Sequence, residues 1–119
     1  MRDFRTVNSW HKAHALTIKV YKITKDFPRE ELYGITSQLR RACSSIPTNI
    51  AEGCGRETEA ELCRFSYIAM GSASETECLF ILTKDLKYIS DTQYRELSND
   101  IVEIKKIITG YIQKLKTKR

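Results

Sequence analysis

Two adjacent arginines, Arg40 and Arg41, lead the residues in this chain whose chemistry could serve a ligand. A guanidinium holds its charge at any physiological pH and presents five donors in a planar fork, which suits phosphate oxygens or a carboxylate. Arg56, Lys105, Lys106 and Lys114 are the other candidate phosphate contacts, and Lys116, Lys118 and Arg119 continue a solvated basic face. A lysine meets a phosphate as a point charge, so such contacts would be blind to base sequence. At least one arginine has a structural alternative. Glu75 lies near an apolar helix face, three residues past Ser72, and if buried it needs a partner. Arg40 or Arg41 would supply it, with Arg41–Glu75 the expected structural pair and Glu52 a second carboxylate within reach of the same role.

Other chemistry is sparse. His11 and His14 stand at i and i+3, a spacing able to hold a metal, but no third ligand is nearby and no metal site is assigned. Cys43, Cys54, Cys63 and Cys78 form no C-x-x-C pair and no regular metal spacing. Three of them fall in helical patterns, where cysteine acts as a small buried apolar residue. The chain has no Gly-rich phosphate loop, no Gly-x-Ser-x-Gly and no carboxylate–histidine cluster at helical spacing. Ser44-Ser45 precede a helix proline closely and belong to that irregularity before they belong to any nucleophile. No catalytic residue and no cofactor follow, and the chain reads as a non-enzyme. Phe27, Phe65 and Phe80 fall on or near apolar stripes, so no platform for stacking single-stranded bases is in view.

Composition sets the frame around these residues. Hydrophobic residues make up 41% and charged residues 29% of 119 positions, ordinary for one globular domain spanning residues 1–119. Only two prolines and five glycines favour long helices over many short strands. The net charge of +5 and pI near 9.1 permit nucleic-acid binding without demanding it. Cations outnumber carboxylates in residues 1–56 and 91–119, and carboxylates outnumber cations in 57–90. That alternation suits electrostatic docking within a chain or between copies. The opening Met-Arg-Asp-Phe-Arg is no apolar signal region, and no apolar run approaches the ~18 residues of a membrane span. A cytoplasmic protein with reduced thiols and no membrane partner is the expectation.

Four helices must position the charged groups. The first is expected to start near Asn8 or Ser9, either of which can cap it. Its stripe is Ala13, Leu16, Val20, Ile23 and Phe27, with Trp10 at the head and Pro28 ending it. The second runs from Leu32 or Ile35 to Gly53 through Leu39, Ala42, Ile46 and either Asn49 or Ile50. Pro47 lies inside it, lacks an N–H and crowds the Cys43 carbonyl, a combination that costs a helix interior ~3 kcal/mol. Because the apolar period continues to Ile50 and Ala51, one helix kinked at Pro47 fits better than two. After a tight connector, Gly53–Arg56, the third helix carries Glu57, Glu59 and Glu61 in its first turns. Its seam is Leu62, Phe65, Ala69, Ser72, Thr76, Leu79, Thr83 and Leu86. The small centre at Ala69 and Gly71–Ser74 would let another helix come close. Ser90 and Gln93 read as a capping box for the fourth helix, whose stripe is Tyr94, Leu97, Ile101, Ile104, Ile108, Tyr111 or Ile112, and Leu115. The fold class is therefore all-α, an antiparallel up-down four-helix bundle. Its expected core is Leu16, Val20, Leu39, Ile46, Phe65, Ala69, Leu79, Ile104 and Ile108.

The run Tyr33-Gly34, Gln38-Leu39-Arg40-Arg41-Ala42 and Ser45-Ile46-Pro47-Thr48-Asn49-Ile50-Ala51-Glu52-Gly53 resembles the signature of the 23S rRNA-intervening-sequence protein family. Trp10, Val20-Tyr21, Phe27-Pro28, Ile68-Ala69 and Gly71-Ser72 extend the likeness over nearly the whole chain. Ile35 stands where leucine is common and Thr48 where serine is common. Cys43 and Cys54 occupy variable positions, which argues against a shared thiol function. The resemblance implies a small bacterial four-helix bundle that assembles into a ring-like homopentamer. It also implies similarity to the accessory protein of diversity-generating retroelements, a basic pentamer that binds nucleic acid and a reverse transcriptase. Two functions follow: an oligomeric scaffold that binds RNA or DNA through its basic surface, or a module that docks a partner protein without nucleic acid. An exposed apolar or small-residue patch on the third helix, left uncovered after assembly, would favour the second.

Overall fold

Apolar residues recurring every three or four positions wind the chain into four helices: α1 Asn8–Thr24, α2 Ser37–Cys54, α3 Glu59–Asp85 and α4 Asp91–Thr117. The computed structural model describes residues 1–117; Lys118 and Arg119, read above as part of the basic tail, lie outside the described residues. α1 packs on α2 and α4, and α3 packs on α2 and α4. Polar pairs give the register. Lys12 meets Glu103 and Lys19 meets Asp100 and Glu96 across α1 and α4. Lys105 meets Glu77, and Lys116 meets Tyr67, across α3 and α4. In both seams rising numbers on one helix meet falling numbers on the other. The 46 Å long axis matches the ~40 Å length of a 27-residue helix. All nine expected core residues are buried.

Several local features depart from the expectations above. Val7, not Asn8 or Ser9, occupies the cap of α1, and its carbonyl accepts from the N–H groups of Trp10 and His11. A 3-10 turn at Phe4–Thr6, held by Asp3 accepting from the Arg5 backbone and side chain, delivers the chain to the helix one residue early. α1 stops at Thr24, short of Phe27. Pro28 instead precedes a 3-10 turn at Arg29–Glu31, followed by a π turn at Leu32–Thr36. Within that turn Gly34 leaves helical geometry (φ −109°, ψ −118°), and a Cβ there would lie 2.5 Å from Glu31 Oε1. The absent side chain makes room for the Glu31 carboxylate, which accepts from the Ile35 N–H at 3.3 Å.

α2 continues as one element through Pro47. Gly53 does not end it. Gly53 is buried inside the helix, where a Cβ would come within 2.8 Å of Phe65 Cβ and 3.2 Å of Leu62 Cδ1. The glycine lets α2 and α3 approach, and Gly55 closes the helix by donating to the carbonyls of Ala51 and Glu52. Thr58 caps α3 through Glu61 N–H, so Glu57 precedes the helix rather than lying in its first turn. At its far end Lys87 sits at φ 65° while Tyr88 N–H reaches back to Thr83 O and Lys87 N–H to Lys84 O. This is a Schellman ending with lysine where glycine is usual. Ser90 and Gln93 exchange bonds reciprocally at the start of α4.

Candidate nucleic-acid interface

The two arginines of α2 do different work. Arg40 turns toward the end of α1, where its Nε donates to Thr24 Oγ1 at 2.7 Å and its Nη2 to Tyr21 O at 3.4 Å. Its guanidinium carbon also lies 4.7 Å from the centroid of the Tyr21 ring. Tyr21 O lies in the last turn of α1, near the negative end of the helix dipole, so a cation is well placed there. Thr24 is buried and passes its own hydroxyl proton to Val20 O at 2.8 Å. Arg40 is a brace between α1 and α2 before it is a surface cation.

Arg41 is exposed. Its Nη2 lies 3.7 Å from Glu75 Oε2, and the Glu75 side chain keeps 41% of its surface open to solvent. The carboxylate is therefore not forced into an ion pair by burial, and a pair of this exposure stabilises by only ~0–1 kcal/mol. Arg56 contacts Glu52 Oε1 at 3.3 Å and lies over the Phe65 ring. Lys105 is held at 2.9 Å by Glu77 in the seam between α3 and α4.

Lys106 and Lys114 differ from these. Both are exposed on α4, and neither has a carboxylate partner among the described residues. They lie on either side of Gly110, where a Cβ would meet nothing within 4 Å. Two shallow clefts adjoin there. One, of about 360 Å³, is lined by Glu77, Val102, Lys105, Lys106 and Gln113; the other, of about 390 Å³, by Arg2, Asn8, Tyr111 and Lys114. A glycine in an exposed helix interior costs about 1 kcal/mol relative to alanine, and here it leaves backbone accessible between two lysines.

Two features escaped the sequence reading. Arg2 donates to Glu59 Oε1 at 2.9 Å and to Tyr111 Oη at 3.0 Å, while its backbone N–H reaches Cys54 O. It ties the N-terminal segment to α2, α3 and α4, and no local pattern announces contacts that span the whole fold. The second is the make-up of the outward face of α3, a patch that the sequence raised only as a condition for partner docking. Tyr67, Ile68, Cys78, Ile81, Leu82 and Leu86 are all exposed, and Gly71 and Ser74 lie among them. Leu86, assigned above to the seam, belongs to this outer face.

The remaining candidates for chemistry are occupied with structure. His14 stacks on Trp10 at 4.7 Å, and His11 Nε2 shares a hydrogen bond with Arg5 O. Among the described residues no three His, Cys, Asp or Glu side chains come together to hold a metal. Cys43, Cys54 and Cys63 are buried and Cys78 is exposed. Burial pushes the Cys43 thiol up to about 11, against a smaller opposing effect of the Thr17 hydroxyl. No helix among the described residues is long and apolar enough to cross a membrane.

The family model for the 23S rRNA-intervening sequence protein matches residues 5–110, which takes in α1 to α3 and most of α4. The chain belongs to this family. Its fold is similar to a protein of unknown function from the S23 ribosomal protein family of Bacteroides thetaiotaomicron VPI-5482, with a TM-score of 0.82 and 26% identity. That match covers 88% of this chain and 95% of the other. No curated protein matches the sequence. For this member of the 23S rRNA-intervening sequence protein family, the motif around Pro47 has a structural reading. Ile46, Pro47, Ile50 and Gly53 form the inward face of α2, and Arg40 braces it against α1.

Proposed function

We propose that this family member is a non-enzymatic, homo-oligomeric scaffold that binds RNA or DNA phosphates through α4, acting as one domain over residues 1–119 in the cytoplasm. The observation that carries the reading is the pair of lysines, Lys106 and Lys114, that have no carboxylate partner among the described residues and flank open backbone at Gly110. Lys105, Arg41 and Arg56 extend the surface but are partly neutralised by Glu77, Glu75 and Glu52. Arg40 contributes least to the α4 surface, because its Nε and one Nη2 proton hold it against Thr24 and Tyr21 at the end of α1. Assembly is supported by the uncovered apolar face of α3, and five copies is the number that the family resemblance implies. Several large apolar side chains exposed along one helix face favour an interaction site there.

Salt dependence tests the nucleic-acid half of the reading. Each phosphate contact lowers the slope of log K against log salt by about 0.7 for single strands and 0.9 for duplex. The Lys106→Ala/Lys114→Ala variant should lose roughly two contacts' worth of slope while keeping its oligomeric mass. An affinity that stays flat from low to physiological salt rules the reading out. Arg40→Ala is a poor probe, since its loss unbraces α1 from α2.

The α3 face also favours a second reading, a module that docks a partner protein without nucleic acid. Recovery of a protein partner that survives nuclease treatment, with no RNA or DNA recovered, would replace the first reading by this one.

A further inference from the structure

We propose that the cleft where α1 ends against the turns before α2 is a binding site for a small oxyanion, a carboxylate or phosphate monoester, carried on a compact apolar body. This goes beyond the nucleic-acid reading and does not depend on it. The cleft has a volume of about 330 Å³, at the lower end of small-molecule sites. Its charged lining residues are Lys25, Arg29 and Arg40, and no carboxylate lines it. Its apolar wall is Phe27, Pro28 and Leu32, and Leu32 keeps 46% of its surface exposed with nothing covering it.

The arginine in this cleft is already positioned. Arg40 is fixed by Nε to Thr24 and by Nη2 to Tyr21 O, and lies against the Tyr21 ring. Its Nη1 and the second proton of Nη2 have no partner among the described residues. That end of the fork matches two oxygens of a carboxylate or phosphate. Ordering the side chain before the ligand arrives removes much of the entropic cost of binding. Thr36 adds an independent sign. It lines the same cleft, is 3% exposed, and its Oγ1 has no hydrogen-bond partner among the described residues. Buried hydroxyls are rarely left so, and a ligand oxygen or a water held beneath one would satisfy it.

Lys25 and Arg29 are exposed and lie in no catalytic or bracing contact, so they test the site without endangering the fold. The experiment is a titration of the 15N-labelled full chain, followed by backbone amide and Arg40 Nε–H shifts. The probes are benzoate, phenyl phosphate and inorganic phosphate, with benzyl alcohol as the neutral control. Benzoate or phenyl phosphate should shift residues 24–40 saturably, and the tighter of the two identifies the headgroup. Inorganic phosphate, lacking the apolar body, should bind about tenfold more weakly, and benzyl alcohol should not saturate. Lys25→Ala/Arg29→Ala should weaken the better probe by about tenfold, and Thr36→Val should weaken it while the fold is kept. Shifts that never saturate, or that fall equally on Lys106 and Lys114, would show charge attraction alone and overturn the proposal. Affinity unchanged in both variants would overturn it too.

Discussion

The hydroxyl of Thr17 on α1 lies 3.4 Å from the carbonyl oxygen of Cys43 on α2, the acceptor whose helical donor would be the N–H that Pro47 lacks. The same hydroxyl donates to Ala13 O at 2.8 Å, so it is shared between its own helix and its neighbour. The prolyl gap is thus partly covered from across the α1–α2 seam. Thr17→Val, close in shape, should cost about 1 kcal/mol in urea denaturation. Pro47→Ala restores a donor to Cys43 O, so in that background the cost of Thr17→Val should shrink by at least ~0.5 kcal/mol. Equal costs in both backgrounds would show that the hydroxyl does not compensate for the proline.

Cys43 makes stability fall at alkaline pH. Its thiol titrates at about 11 in the fold, raised from 9.0 by burial. A raised folded value means that the stabilising contribution is fully present below pH 9 and is lost as pH rises toward 11, because the unfolded chain ionises first. The slope from this group approaches ~1.4 kcal/mol per pH unit in that window. Denaturation midpoints measured from pH 8 to 11 should drop less steeply in Cys43→Ala than in wild type. Raised tyrosines at 88 and 111 titrate in both proteins, so the difference isolates Cys43.

Two glycines on long helices should respond oppositely to alanine. At Gly53 a new Cβ would stand 2.8 Å from Phe65 Cβ, an atom fixed to its backbone, so α2 and α3 must separate. Gly53→Ala should destabilise by ~1–3 kcal/mol. At Gly110 the new methyl meets nothing, and Gly110→Ala should stabilise by about 1 kcal/mol. Thermal or urea unfolding of the two variants checks both signs.

Lys87 offers a stabilising change of another kind. It holds a left-handed conformation (φ 65°) at the end of α3, where a Cβ is crowded by the backbone. Lys87→Gly should therefore raise stability by up to ~1 kcal/mol. A lower midpoint would mean that the lysine side chain contributes more than its backbone conformation costs.

The helices and their core were legible because burial follows the 3.6-residue period, and Leu39, Ile46, Ile104 and Ile108 each sit where that period puts them. Ends were less legible. Val7 caps α1 through its backbone alone, and a side-chain capping rule has no purchase on it. Gly53 reads as a helix stop by propensity, yet a tertiary contact with Phe65 explains it. The candidate site was half legible for the same reason. Lysines on the outer face of α4 follow from periodicity. Arg40 and Arg41 are alike in sequence, and only the position of Tyr21 and Thr24 turns one of them into a brace.

Cys78 reports on the outer face of α3. It is exposed among Gly71, Ser74 and Ile81, whereas Cys43, Cys54 and Cys63 are buried. A thiol reagent added to dilute, unassembled chain should therefore label one cysteine per chain quickly and the other three only on unfolding. Where light scattering shows the oligomer, the fast phase should slow in proportion to the assembled fraction, because a helix packed on the small residues around Cys78 would exclude the reagent. Cys78→Ser removes the fast phase without touching the core and identifies it. If Cys78 reacts at the same rate in the assembled protein, this face is not the subunit contact. It then remains open for a protein partner, and the second functional reading gains the surface that it requires.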